Sequence, residues 1–240
     1  MNDEERLSRL ETLWSVVYRA HGDETIDAAA ARHELMDRYG GAAKRYLRGA
    51  LRSDSDAEEV FQEFSLRMIR GDFHRADEEK GRFRQFVKTA LFRMIVDFQR
   101  ARGKSAGQQH LQQAPEPAIE DPLGDDAFAQ SWRKELIEKT LARMQDLDVE
   151  QNRGLCEILQ IRIQNPQMRS PDLADLASQS LNKTITAENY RALLRRARLQ
   201  FATILLDEVT QSLDMPTPDS LESELAELDL LEYCRPALER

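Results

Sequence analysis

An all-α fold, built as two small helical modules with a flexible acidic linker between them, is predicted by three features of the 240-residue sequence. Apolar residues recur at spacings of three and four over long stretches, and nowhere do β-branched residues alternate over a strand's length. Residues 103–127 break that periodicity and turn rich in Gln, Pro, Gly and acid, a composition unable to bury a core. Beyond them, residues 170–210 read as a short helix, a tight connection and a longer helix. The predicted divisions are a helical domain at 1–102, the linker at 103–127, a second helical domain at 128–210 and an acidic tail at 211–240.

Composition narrows the function classes. Charged residues make up 32% and hydrophobic ones 41%, which suits modules with solvated connections more than one large core. No apolar run is long enough to span a membrane, and the acidic start "MNDEERLSRL" lacks the apolar core of a signal peptide, so a cytoplasmic protein is expected. Cys156 and Cys234 form no motif and suit a reducing compartment. His21, His33, His74 and His110 have no metal-ligand spacing. "GKS" at Gly103–Ser105 is not a phosphate loop, because Phe98 stands where its first glycine belongs and no strand precedes it. The expectation is a protein with no catalytic residues, no metal, no cofactor and no small-molecule substrate.

The elements follow in order. Leu7, Leu10, Leu13, Trp14 and Val17 form an amphipathic stripe, which "HGDETID" interrupts. A second helix is expected from about Ala28 to Leu51, with Leu35, Tyr39, Ala43, Tyr46, Leu47 and Ala50 on its buried face and Gly40-Gly41 inside it as a place where the helix can kink. Ser55 and Glu58 have capping-box spacing for a third helix. There Ala57, Val60, Phe61, Phe64 and Met68 would be buried, leaving Glu59, Gln62, Glu63 and Arg67 outside. After the loop "GDFHRADEEKG" comes "GRFRQFVKTALFRMIVDFQRAR". Phe83, Phe86, Val87, Ala90, Leu91, Met94 and Phe98 make its core arc. After the linker, helices are expected at 128–146 and 149–164, then one capped by Ser170 with Pro171 in its first turn, then one from Thr186 to about Thr210. In the tail, Leu221, Leu225, Leu228 and Leu231 share one helical face with Ser220 as cap. That face needs a partner surface. Either it packs on the second module as extra core, or its acids lie against the arginines of the preceding helix.

Two charge reversals point to a polyanion. The whole chain carries −9, yet residues 82–102 hold six cations against the single anion Asp97. At about 3.6 residues per turn, Arg82, Thr89, Arg93 and Arg100 align on one face with Phe92 beside them. Cations along a phosphate path with a ring available for stacking suit single-stranded or melted nucleic acid. A solvated basic face with Phe92 packed on a neighbour is the alternative. Residues 189–206 contain Arg191, Arg195, Arg196 and Arg198 and no acid, as in a helix offered to a DNA major groove.

"DAEEVFQEFSLRM" followed by "GRFRQFVKTALFRMIVDFQRAR" resembles region 2 of the RNA polymerase sigma-70 family, in particular the small extracytoplasmic-function (ECF) type. The matching residues are Asp56, Ala57, Glu58, Glu59, Gln62, Glu63, Asp97 and Arg100. "LLRRAR" at 193–198 resembles the end of that family's region 4 recognition helix. The resemblance implies a sigma factor. Asp56, Glu59, Gln62 and Glu63 would dock on the polymerase β′ clamp, and the second module on the β flap. Arg82, Arg84, Lys88, Phe92, Arg93 and Arg100 would hold the promoter −10 element. Thr186, Asn189, Tyr190, Arg191, Arg195, Arg196 and Arg198 would read the −35 element, and an anti-sigma protein is a further partner the family allows. Where relatives commonly carry Asn and Trp in the basic helix this chain has Arg93 and Phe86, and Asn189-Tyr190 replaces the usual Thr-Val. The alternatives are a stand-alone helix-turn-helix regulator and a protein-binding adaptor on a degenerate sigma scaffold.

Overall fold

The computed structural model describes residues 16, 19–20, 26–70, 83–105, 126–151, 153–213 and 216–238. Among them there are nine helices and no strand, so the fold is all-α as the periodicity predicts. They are α1 (Ile26–Leu51), α2 (Asp54–Arg70), α3 (Phe83–Ser105), α4 (Ala127–Gln151), α5 (Leu155–Gln164), α6 (Ser170–Leu181), α7 (Ala187–Thr210), α8 (Pro218–Glu227) and α9 (Leu231–Leu238). The chain divides into two compact units, Met1–Glu135 with Gln211–Leu221, and Leu136–Thr210 with Glu222–Arg240. The stripe at Leu7–Trp14, Val17, the loop at 71–81 and most of the linker lie outside the described residues.

The first unit is organised around Tyr39 of α1, which is fully buried. Its ring meets Phe83 of α3 edge-on at 5.3 Å and stacks on Trp132 of α4 at 4.7 Å. Tyr46, two turns on, meets Phe128 edge-on at 5.6 Å. Periodicity assigns Phe128 and Trp132 to the second domain, but their rings complete the core of the first unit. The reason is visible in α1: Gly40-Gly41 does not end the helix, and a Cβ on Gly41 would strike the Glu135 carboxylate. Glycine there lets α4 approach closely enough for Arg45 to donate to the Ser131 carbonyl at 2.9 Å and to pair with Glu135 at 3.3 Å.

α2 starts two residues earlier than Ser55 would allow. Ser53 is its cap: its Oγ accepts the Asp56 N–H at 3.3 Å, and its carbonyl accepts that of Ala57. Glu58, freed from the expected capping box, pairs with Lys44 of α1 at 2.7 Å.

In the second unit, α5, α6 and α7 pack mutually around Ile158, Leu173, Ala177, Tyr190 and Ala197. Asp148 near the end of α4 caps α5 by accepting the Cys156 N–H. Between those helices Gly154 has φ 71°, a left-handed conformation that favours glycine, and a Cβ there would also press on Leu181. Ser170 is the first helical residue of α6 and not its cap; Arg169 holds the cap position, with extended backbone and no side-chain bond. α6 ends on Asn182, left-handed at φ 49°. Ser178 then fixes the turn: its hydroxyl accepts the Ile185 N–H at 3.0 Å and donates to the Ala174 carbonyl at 2.7 Å. Thr186 caps α7 by accepting the Asn189 N–H at 3.2 Å.

The tail forms two helices. Thr217 caps α8 in a reciprocal box with Ser220, whose N–H it accepts at 3.1 Å and to whose Oγ its own N–H donates at 2.9 Å. Ser220 is thus inside the first turn. Asp229 at φ 51° breaks the helix, so Leu230 is buried beside Leu225 and Leu228 while Leu231 is only half-buried. α9 packs on α7 with Cys234 fully buried, and the leucine face serves as core.

Candidate nucleic-acid interface

The basic helix α3 uses its faces as helical geometry requires. Phe83, Val87, Leu91, Met94 and Ile95 are buried. Arg93 and Arg100 are exposed, on the same face as the exposed Thr89. Phe92 is half-buried beside them. Arg82 lies outside the described residues. Lys88 is half-buried.

Arg84 is a correction. It is only 5% exposed and cannot belong to an open DNA-contacting stripe. Its position seven residues before Leu91, two turns along the same face, turns it toward the interior. Arg102 is exposed but engaged: it pairs with Asp56 of α2 and lies over the Phe98 ring at 5.7 Å. The same pair corrects Asp56, which the family resemblance puts on the free face of α2 and which is instead tied to α3. Among the described cations of this segment, Arg93 and Arg100 form a short exposed stripe.

The outer face of α2 carries Glu59, Gln62 and Glu63, all exposed as expected, with Glu63 also holding Arg67 at 2.8 Å. Two residues not singled out from the sequence lie on this face: Leu66 is 44% exposed and Ile69 55%. Their signal was available, since on a helical wheel Leu66 falls within about 60° of both Glu59 and Glu63 and Ile69 about 20° from Gln62. An acidic rim beside two exposed aliphatic side chains is a protein-docking composition more than a nucleic-acid one.

In the second unit, α7 projects Asn189, Arg191, Arg195, Arg196 and Arg198 into solvent, with Thr186 at its start also exposed. Tyr190 is the second correction: it is fully buried, and its hydroxyl donates to the Ile158 carbonyl at 3.3 Å. Burial pushes the Tyr190 phenol up, with Arg162 and Arg198 pulling it back. Tyr190 anchors α7 on α5 and has no surface for a base. Arg162 carries no signal of a site role in the sequence, yet it is grouped with Arg191 and Arg198 in one concavity.

Among the described residues no group of three or more acids, histidines and cysteines is arranged to hold a metal ion, and no helix is long and apolar enough to cross a membrane.

Residues 35–105 match the family model of sigma-70 region 2, which covers α1 from Leu35 through the end of α3. The exposed acidic face of α2 and the exposed arginines of α3 both lie inside that segment. Over residues 35–105 the chain is similar to the RNA polymerase sigma-70 family, and a region 2 segment supports a sigma-factor role in promoter recognition, with core RNA polymerase and promoter DNA as partners. No curated protein and no solved structure matches the chain significantly.

Proposed function

We propose that this chain is a sigma factor of the ECF type: a cytoplasmic promoter-specificity subunit, not an enzyme, that binds core polymerase and directs initiation from −10 and −35 elements. The observation that carries the reading is the match of residues 35–105 to region 2, with opposite charges exposed on its successive helices α2 and α3. Glu59, Gln62 and Glu63 meet the β′ clamp, and Leu66 and Ile69 add apolar area to that contact. At about 25 cal/mol per Å² of apolar surface, burying two such side chains adds to a contact in which exposed charges contribute little. Arg93 and Arg100 follow the phosphates of the melted −10 strand, with Phe92 beside them for stacking.

The region 4-like domain supplies the second contact. α6, the Asn182 turn and α7 make a helix-turn-helix in which Asn189 and Arg191 approach base edges at the −35 element and Arg195, Arg196 and Arg198 meet phosphates. Under this reading residues 1–102 are the region 2 domain, 103–127 the linker and 128–210 the second domain, with Phe128 and Trp132 lent to the first core. The β flap and an anti-sigma protein are further partners it accommodates.

Run-off transcription with core polymerase on a genomic fragment library tests this directly, and discrete start sites dependent on the chain are expected. Glu59→Lys with Glu63→Lys and Gln62→Ala should abolish them by weakening polymerase binding while helicity is retained. Unchanged polymerase affinity in that variant would count against the reading.

A further inference from the structure

A concavity of about 490 Å³ opens at the start of α6. Four arginines line it from three separate elements: Arg162 from the last turn of α5, Arg169 from the cap position of α6, and Arg191 and Arg198 from α7. None of its described lining residues is acidic. Arg162 is held in place by donating to the Met168 carbonyl at 3.0 Å. Ser170 lines the same space, so the N-terminal end of a twelve-residue helix opens into it. The Arg169 side chain makes no capping bond there, so the partial positive charge of the helix end adds to the four guanidiniums.

We propose that Arg162, Arg169, Arg191 and Arg198 form one phosphate-binding cradle at the start of α6. Four like charges around one hollow repel one another, and an anion between them offsets that repulsion. Guanidinium groups suit phosphate better than other anion seats do, because each presents a planar fork that bonds two oxygens at once. Burial raises the phenol of Tyr190, which lines the same concavity, and the charges of Arg162 and Arg198 both pull it back. Arg162 and Arg169 lie off the proposed recognition helix, so the cradle widens the anion-binding surface beyond α7.

Two sources supply such a phosphate: the backbone of duplex DNA, or a free polyphosphate group. The first deepens the proposed −35 contact and rests on that reading; the second does not. The test uses the full chain and the variant Arg162→Gln with Arg169→Gln, which leaves α7 untouched. Binding is measured to inorganic pyrophosphate by calorimetry and to a mixed-sequence duplex across a salt series. For the DNA source, the variant's log–log salt slope should fall by about 0.9 for each phosphate it no longer neutralises. For the free anion, pyrophosphate binding should be abolished while the duplex slope is unchanged. If both effects occur, one seat serves either source. Identical slopes together with the same pyrophosphate response in wild type and variant, including none in both, overturns the cradle. If Arg162→Gln unfolds the second unit, Arg169→Gln alone is read in the same way, since its side chain is exposed. Variant-sensitive pyrophosphate binding in a chain that yields no run-off product would sink the sigma reading and leave the cradle standing.

Discussion

α3 and α7 are both arginine-rich helices in an acidic chain, yet they use their charge differently. α3 sits against α1 and α2, so Arg84 is drawn into the interior and Arg102 is engaged by Asp56. α7 packs on α5, α6 and α9, burying Tyr190 and Ala197 and leaving Arg191, Arg195, Arg196 and Arg198 all exposed. A count of cations in sequence therefore overstates the charge that α3 can offer to DNA and states that of α7 correctly. The difference lies in where the arginines fall: Arg84 shares the packed arc of its helix, whereas the four of α7 lie off theirs.

The sharpest break in this comparison is at Tyr190, adjacent to the exposed Asn189. Tyr190→Ala should destabilise the second unit by about 3–5 kcal/mol, the usual cost of truncating a buried aromatic ring. Asn189→Ala should stay within about 1 kcal/mol, since its exposed side chain is absent from the core. Denaturant unfolding of the two variants separates them. Similar destabilisation in both would mean that Tyr190 does not anchor α7.

Within α3 the comparison sharpens at Arg84. Arg84→Ala should destabilise the first unit by about 1–3 kcal/mol, the cost of disturbing a buried polar group and what it faces. Arg93→Ala with Arg100→Ala should leave thermal stability nearly unchanged and lower the log–log salt slope for single-stranded DNA by about 0.7 per phosphate released. A slope change for Arg84→Ala as large as for Arg93→Ala, with stability unchanged, would place Arg84 back on the surface.

A smaller effect tests the tail against α7. Burial pushes the Cys234 thiol from an ordinary 9.0 up to about 12, and burial also raises Cys156. A thiol whose folded pKa is raised holds its proton more tightly in the folded state. Its contribution to stability is fully present below about pH 9 and is lost as pH climbs toward 12. The thermal midpoint should therefore fall as pH rises through that window, and Cys234→Ala should flatten that fall without removing it. Equal slopes in both proteins would mean that α9 does not bury the thiol.

The smallest expected effect is at the start of α8. Thr217→Ala removes one side of the reciprocal bonds with Ser220 and should cost about 1 kcal/mol by denaturant unfolding. Ser220→Ala should cost a similar amount, and the double variant less than the sum, because the two residues share one motif.

Sequence by itself determined that the chain is helical, where most helices run, and which apolar residues face inward. Those properties follow from spacings of three and four residues, which depend only on the helix repeat. It also determined the outward set Glu59, Gln62 and Glu63 and the arginines of α7, because a helix with one packed face leaves the opposite face exposed. Tertiary structure alone decided which cations are spent, as at Arg84 and Arg102, and which cap a helix takes, as Ser53 in place of Ser55. It decided that Gly41 serves the approach of Glu135, and that Trp132 joins a core 93 positions away at Tyr39. Most of those outcomes depend on a neighbour distant in sequence. A helical wheel shows which way a side chain points and is silent on what it meets there.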